Sequence, residues 1–175
     1  MKKPKCKYCG GLHWTYQCWS KPKPIPKVRK TKVKSSSDSE RRRLILALDK
    51  YYSLYIRWKY ADKNGYDTCY TCGRRLPVQE AQCGHYVSRR WLGTRWEEQN
   101  MRPQCQVCNM YKNGNYKVYE PKMKRELGVD EVQKLWDKAY SGKKLTTFDL
   151  DNMLKEVKQK YKDLITERQG KDWKF

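Results

Sequence analysis

The chain has 175 residues and a formal net charge of +21, with 38% hydrophobic and 34% charged residues. So little apolar material excludes one large core and implies a small compact domain with extended basic appendages. The charge favours a polyanion, nucleic acid above others; no apolar run can span a bilayer and no secretory signal stands out, so a soluble cytoplasmic protein without a membrane partner is expected.

Residues 1–20 read as a metal loop. Cys6, Cys9, His13 and Cys18 give C-x2-C-x3-H-x4-C, four zinc ligands in a stretch too polar to fold without metal. The spacing is similar to the retroviral-type zinc knuckle, one residue shorter before the histidine, and Gly10 and Gly11 can absorb the tighter turn. Such knuckles stack on single-stranded bases, which makes Trp14, Tyr16 and Trp19 candidate nucleic-acid contacts. A tail with scattered thiols is the bland alternative. Residues 21–37 form a linker in which Pro22, Pro24 and Pro26 favour extended chain. Residues 1–43 hold 14 of the 40 basic groups and 2 of the 19 acidic ones, a balance suited to a phosphate backbone.

Residues 38–64 read as a helix and its end. Ser37-Asp38-Ser39-Glu40 is a capping box, and Leu44, Leu48, Tyr51, Tyr55 and Trp58 recur near helical spacing. The helix is expected over about 38–61, with its apolar face packed on the unit that follows. Arg41, Arg42, Arg43, Arg57 and Lys59 read as a solvated face.

The most informative stretch is residues 65–128. Cys69 and Cys72 form one C-x2-C pair, Cys105 and Cys108 a second. Two such pairs suit one tetrahedral Zn²⁺ and argue for metal over disulfides, so two structural zinc ions are expected in the chain. His85 is the one histidine between the pairs, Asn100 follows it, and Asn109 stands against the last cysteine. A strand within 78–87, a loop carrying Arg89, Arg90 and Arg95, a return strand over 100–104 and a helix from Asn109 make a zinc-stapled ββα unit, and the fold class α+β. An imidazole can take a proton from water at neutral pH. Asn100 can hold it in one tautomer, and Asn109 offers an amide oxygen to a hard ion such as Mg²⁺ or Mn²⁺. Arg89, Arg90, Arg95 and Lys112 are candidate phosphate contacts. Cys83 falls outside both metal sets and reads as a small buried strand residue. A structural zinc ribbon with a bystander histidine is the competing reading.

Gly84-His85-Tyr86, Arg89, Asn100, Gln104-Cys105, Cys108-Asn109, Gly114-Asn115 and Tyr119, with Arg125 and Gly128, resemble the phage lambda NinG (Rap) recombination protein family over roughly residues 65–130. That family is similar to the HNH, or His-Me finger, nucleases. The resemblance implies endonucleolytic cleavage of branched DNA such as Holliday junctions and D-loops, in a bacterial host cytoplasm. It also implies His85 as general base, Asn100 as its orienter and Asn109 at the third motif position. One departure is Gly84, where many HNH enzymes carry a metal-binding Asp; Glu80, Glu97 and Glu98 are then the candidate second ligands.

Residues 129–175 read as helices. Val132, Leu135, Trp136 and Ala139 mark a short one, and Leu150, Leu154, Val157, Tyr161 and Leu164 a longer one, with stripes read as core or partner surface. Two cuts on one junction make a homodimer an expectation. Two functions stay open: a metal-dependent endonuclease on branched or single-strand-containing DNA, or a non-catalytic zinc protein that binds nucleic acid in recombination or transcription. The isolated His and paired Asn favour the first, and Gly84 the second.

Overall fold

In the computed structural model the described residues are 3–7, 9–12 and 36–169. His13, Trp14, Tyr16, Cys18, Trp19, the linker through residue 35 and the tail beyond Gln169 lie outside them. The chain divides into two units, Met1–Val33 and Lys34–Phe175. In the first, Lys5 and Leu12 pair across an antiparallel bridge. The turn between them closes through Cys6 N–H to the Gly11 carbonyl and Gly10 N–H to the Cys6 carbonyl, both at 2.8 Å.

The second unit opens with α1, Ser36–Tyr60. Leu44, Leu48, Tyr52 and Ile56 recur every fourth residue and are buried, one turn above another on a single face. Two short hairpins follow. Strands β1 (Tyr66–Thr68) and β2 (Arg75–Pro77) pair antiparallel. Strands β3 (Gln82–His85) and β4 (Met101–Gln104) pair antiparallel with His85 opposite Met101 and Gly84 opposite Arg102. The first hairpin was not expected, because its three-residue strands are too short to show an alternating pattern.

A π turn over Val107–Tyr111 stands where the sequence implied the start of a helix. Asn113, Gly114 and Asn115 then take positive φ, and α2 begins only at Tyr116, running to Leu127 through Pro121. Asparagine and glycine tolerate this left-handed region better than other residues, so they separate the turn from the helix. Gly128, at φ +91, is the single hinge to α3, Val129–Tyr140. Tyr86, Val87, Tyr119, Met123, Val132 and Leu135 form the core beneath this helical pair.

The last helix, α4, covers Thr147–Gln169. Thr146 caps it: the Asp149 N–H donates to Thr146 Oγ1 and the Thr146 N–H to the Asp149 carboxylate, a reciprocal box. Leu150, Leu154 and Val157 pack with Leu44, Leu48, Tyr52 and Ile56, and with Met101 and Trp96 beside them. Arg41 at the start of α1 donates to the Leu145 carbonyl and Arg168 at the end of α4 to that of Ala61, so the two helices run parallel. The C-terminal stripe is therefore core, and the main partner of α1 is α4 as well as the hairpin. No helix among the described residues is long and apolar enough to cross a membrane.

Candidate metal centre and adjoining cavity

Each cysteine pair is delivered by a tight backbone turn. The Cys69 N–H donates to the Arg74 carbonyl at 2.8 Å and the Gly73 N–H to the Cys69 carbonyl at 2.9 Å, with Gly73 at φ +77. Cys105 follows β4 directly, and the Asn109 N–H donates back to its carbonyl at 2.9 Å. The four sulfurs of Cys69, Cys72, Cys105 and Cys108 lie within 4.8 Å of one another. Cys72 Sγ and Cys105 Sγ are 3.8 Å apart, the edge of a tetrahedron of Zn–S bonds of ~2.3 Å. Leu76 and Ala81 pack against the set. Burial raises the Cys69 thiol, but backbone N–H groups of Cys105, Cys72 and Thr71 outweigh it and hold Cys69 down to about 6. Asn115 Nδ2 donates to Cys108 Sγ, a support of the kind ligand sulfurs receive. These four residues could hold a metal ion such as zinc.

Gln104 binds this centre to the rest. Fully buried, it donates from Nε2 to Thr71 Oγ1 at 3.0 Å and to the Gly114 carbonyl at 2.9 Å. A Cβ at Gly84 would lie 2.1 Å from Gln104 Oε1. Glycine is required there by packing, and a carboxylate at this position would displace Gln104 and break its ties to both turns.

Beside the cysteines, α1, β3 and the π turn enclose a cavity of about 600 Å³ lined by His85, Gln82, Asn109, Asp49, Arg57 and Arg89 among others. His85 Nε2 lies 3.0 Å from the Arg95 carbonyl. A carbonyl only accepts, so Nε2 carries the proton and the neutral ring keeps its lone pair on Nδ1. Burial pushes the imidazole down to about 4, opposed by the carbonyls of Arg95 and Cys83 and aided by the charge of Arg89.

The contact assigned to Asn100 is thus made by Arg95. Asn100 is fully buried; its Oδ1 accepts from the Val87 N–H at 2.6 Å and its Nδ2 donates to the carbonyls of Val87 and Thr94. It clamps the loop that presents the Arg95 carbonyl, one step behind the imidazole. Arg95, read from the sequence as a phosphate contact, has its guanidinium engaged by Asp49 at 2.9 and 2.6 Å and is half-buried. Trp96 Nε1 also donates to Asp49. Asp49 lies on α1, far from the motif in sequence, and nothing in the local pattern marks it. Arg89, Arg90 and Lys112 are exposed as a phosphate contact must be.

Asn109 Nδ2 donates to Gln82 Oε1 at 2.7 Å, so two side-chain amides stand together at the cavity wall; Gln82 carried no sequence signal. The proposed second ligands are elsewhere: Glu97 pairs with Lys138, and Glu98 with Lys59 and Lys160, and none of Glu80, Glu97 and Glu98 lines the cavity. Asp49 is the one carboxylate among its described lining residues. The oxygen donors fit a hard cation in kind but not in charge, since Mg²⁺ sites use one or two carboxylates plus substrate phosphates. Cys83 packs against the helical core, and burial pushes its thiol up to about 12.

A family profile described as Bacteriophage Lambda NinG protein matches residues 20–167. Protein ninG of Salmonella phage P22 is 30% identical over 101 residues, covering 57% of this chain and 49% of that protein. Protein ninG of Escherichia phage lambda is 29% identical over 101 residues, with 57% and 48% covered. The chain thus aligns with about half the length of the curated relatives it matches. No solved structure matches it.

Proposed function

The chain belongs to the NinG family of bacteriophage lambda, and from that premise we propose that it is a DNA endonuclease acting on branched or single-strand-containing DNA such as Holliday junctions and D-loops. The observation that carries this reading is His85: an imidazole held through Nε2 by the Arg95 carbonyl, in a cavity that also holds Asn109 and Arg89. In this reading His85 Nδ1 takes the proton of the attacking water. Arg89 at the rim neutralises the scissile phosphate. Asn100 and Asp49 act behind them by fixing the Arg95 segment. A divalent cation held by the Asn109 amide oxygen together with phosphate oxygens would supply further charge neutralisation at the leaving oxygen; with neutral protein donors its affinity without DNA is low. Four thiols already complete the zinc tetrahedron, so His85 is not a ligand. Two cuts on one junction would use two copies of the chain.

A second reading, a non-catalytic zinc protein binding nucleic acid, draws support from the low His85 pKa and the lack of an unengaged carboxylate in the cavity. A bound phosphate answers the first point, because a nearby negative charge raises an imidazole pKa. The test is cleavage of a labelled four-way junction beside linear duplex, with and without Mg²⁺. His85→Ala should lower the rate by a factor of ~10² to 10⁴ with zinc content and fold unchanged. For the parent protein, base catalysis is lost as pH falls through the folded pKa, so kcat/KM should hold down to about pH 5 and fail near pH 4. The corresponding break in kcat should lie higher, with phosphate bound. Loss of a zinc equivalent together with the fold in His85→Ala would make His85 structural and leave the binding reading in its place.

A further inference from the structure

The π turn Val107–Tyr111 presents apolar side chains outward. Val107 is 42% exposed, Met110 54% and Tyr111 72%. Single exposed apolar residues are ordinary, but here three of five residues in one turn are exposed, and the turn borders the cavity. Met110 lines it, with its sulfur 3.5 Å from Gln82 Nε2, the residue paired to Asn109.

The turn is also held firmly. Cys105 and Cys108 anchor its start, the Lys112 N–H donates to the Val107 carbonyl at 2.9 Å, and the Gly114 N–H donates to the carbonyls of Cys108 and Asn109 at 2.9 and 3.0 Å. A turn so pinned cannot fold its tip inward, so Met110 and Tyr111 stay in water unless a ligand covers them. The surroundings identify that ligand's charge. From Gln99 to Tyr119 the sequence has no Asp or Glu, while Lys112 and Lys117 are exposed cations, and Arg89 lines the same cavity. An apolar face set among cations fits a nucleobase flanked by its phosphates.

We propose that Met110 and Tyr111 form a stacking platform for one unstacked nucleobase of the strand whose phosphate enters the His85 cavity. The inference rests on the reading of DNA as the ligand, and it gives a physical reason for preferring branched or gapped DNA: an intact duplex must first unstack a base to use the platform.

The test uses the full chain carrying His85→Ala, so that DNA persists and cleavage is not read. A gapped duplex and an intact duplex, each with 5-iodouracil at successive positions, are titrated and irradiated. The crosslink should map to Tyr111 or Met110 on the gapped DNA. Adding Tyr111→Ala should weaken gapped-DNA binding about tenfold, change intact-duplex binding less than twofold and leave the salt slope unchanged, because no phosphate contact is lost. Tyr111→Phe keeps the ring and should bind like the parent. Equal loss on both DNAs, no loss on either, or equal damage by Phe and Ala would overturn the platform. So would a dimer that Tyr111→Ala converts to monomer with DNA affinity unchanged, since the face would then belong to a second copy of the chain. Zinc content of each variant separates these outcomes from misfolding. If the parent binds gapped DNA through Tyr111 yet cleaves nothing, the endonuclease reading fails and the platform stands.

Discussion

The turn at Cys6–Gly11 and the turn at Cys69–Arg74 are built alike. In each, the N–H of the first cysteine donates to the carbonyl five residues on, and the glycine four residues on donates back to the carbonyl of that cysteine. Gly10 and Gly73 take φ of +74 and +77. The second turn meets Cys105 and Cys108, more than thirty residues away in sequence, and so closes a four-sulfur set. The partners that the sequence offers the first turn, His13 and Cys18, are its near neighbours. The lesson is that C-x2-C-G specifies a local turn, and that what such a turn stabilises depends on where its further partners come from: for Cys69 and Cys72 they come from a distant segment and tie a folded domain together.

Ligand removal should break the comparison most visibly. Cys105→Ser should unfold the central unit, since the metal contributes on the order of 10 kcal/mol to folding in small zinc peptides. Cys6→Ser should leave the melting of that unit unchanged while lowering zinc content from two equivalents to one. Calorimetry with metal analysis reads both. Finding one equivalent in the parent protein would show that the arm turn holds no zinc.

A difference of intermediate size comes from Asp67, two residues before Cys69. It is fully buried, and neither carboxylate oxygen has a hydrogen-bond partner among the described residues. Burial raises it to about 7, against the opposing charges of Arg57 and Arg168. Between pH 4 and 7 the folded state therefore holds a proton that the unfolded state has released, and stability falls as pH rises through that window. Asp67→Asn removes this loss and should stabilise the domain by roughly 2–4 kcal/mol at pH 8, with little effect at pH 4. Denaturant melts at the two values decide it, and an equal change at both would mean that Asp67 is charged in the fold.

The smallest effect sharpens the comparison within the turns themselves. A Cβ at Gly10 or Gly73 meets nothing within 4 Å, so substitution costs only the left-handed backbone, about 1–2 kcal/mol. Gly73→Ala should lower the stability of the whole domain by that amount. Gly10→Ala should leave the domain untouched and weaken only metal retention by the arm, read by chelator competition. Equal global effects would show that the two units fold together.

The sequence by itself determined what is local. The two cysteine pairs, the glycine after each first pair, the strand that carries His85, and the helices α1, α3 and α4 all follow from short-range spacing and periodicity, whereas the π turn and the late start of α2 do not. Gly84 could be noticed but not explained, because its cause is Gln104 on the neighbouring strand. Only the tertiary structure decided that the imidazole leans on the Arg95 carbonyl and that Asp49 on α1 engages the Arg95 guanidinium. It also decided that α1 and α4 run parallel as one layer, and that burial lowers the His85 pKa to about 4. These are contacts between segments tens of residues apart, and each depends on burial, a property of the packed chain that no local pattern of residue types encodes.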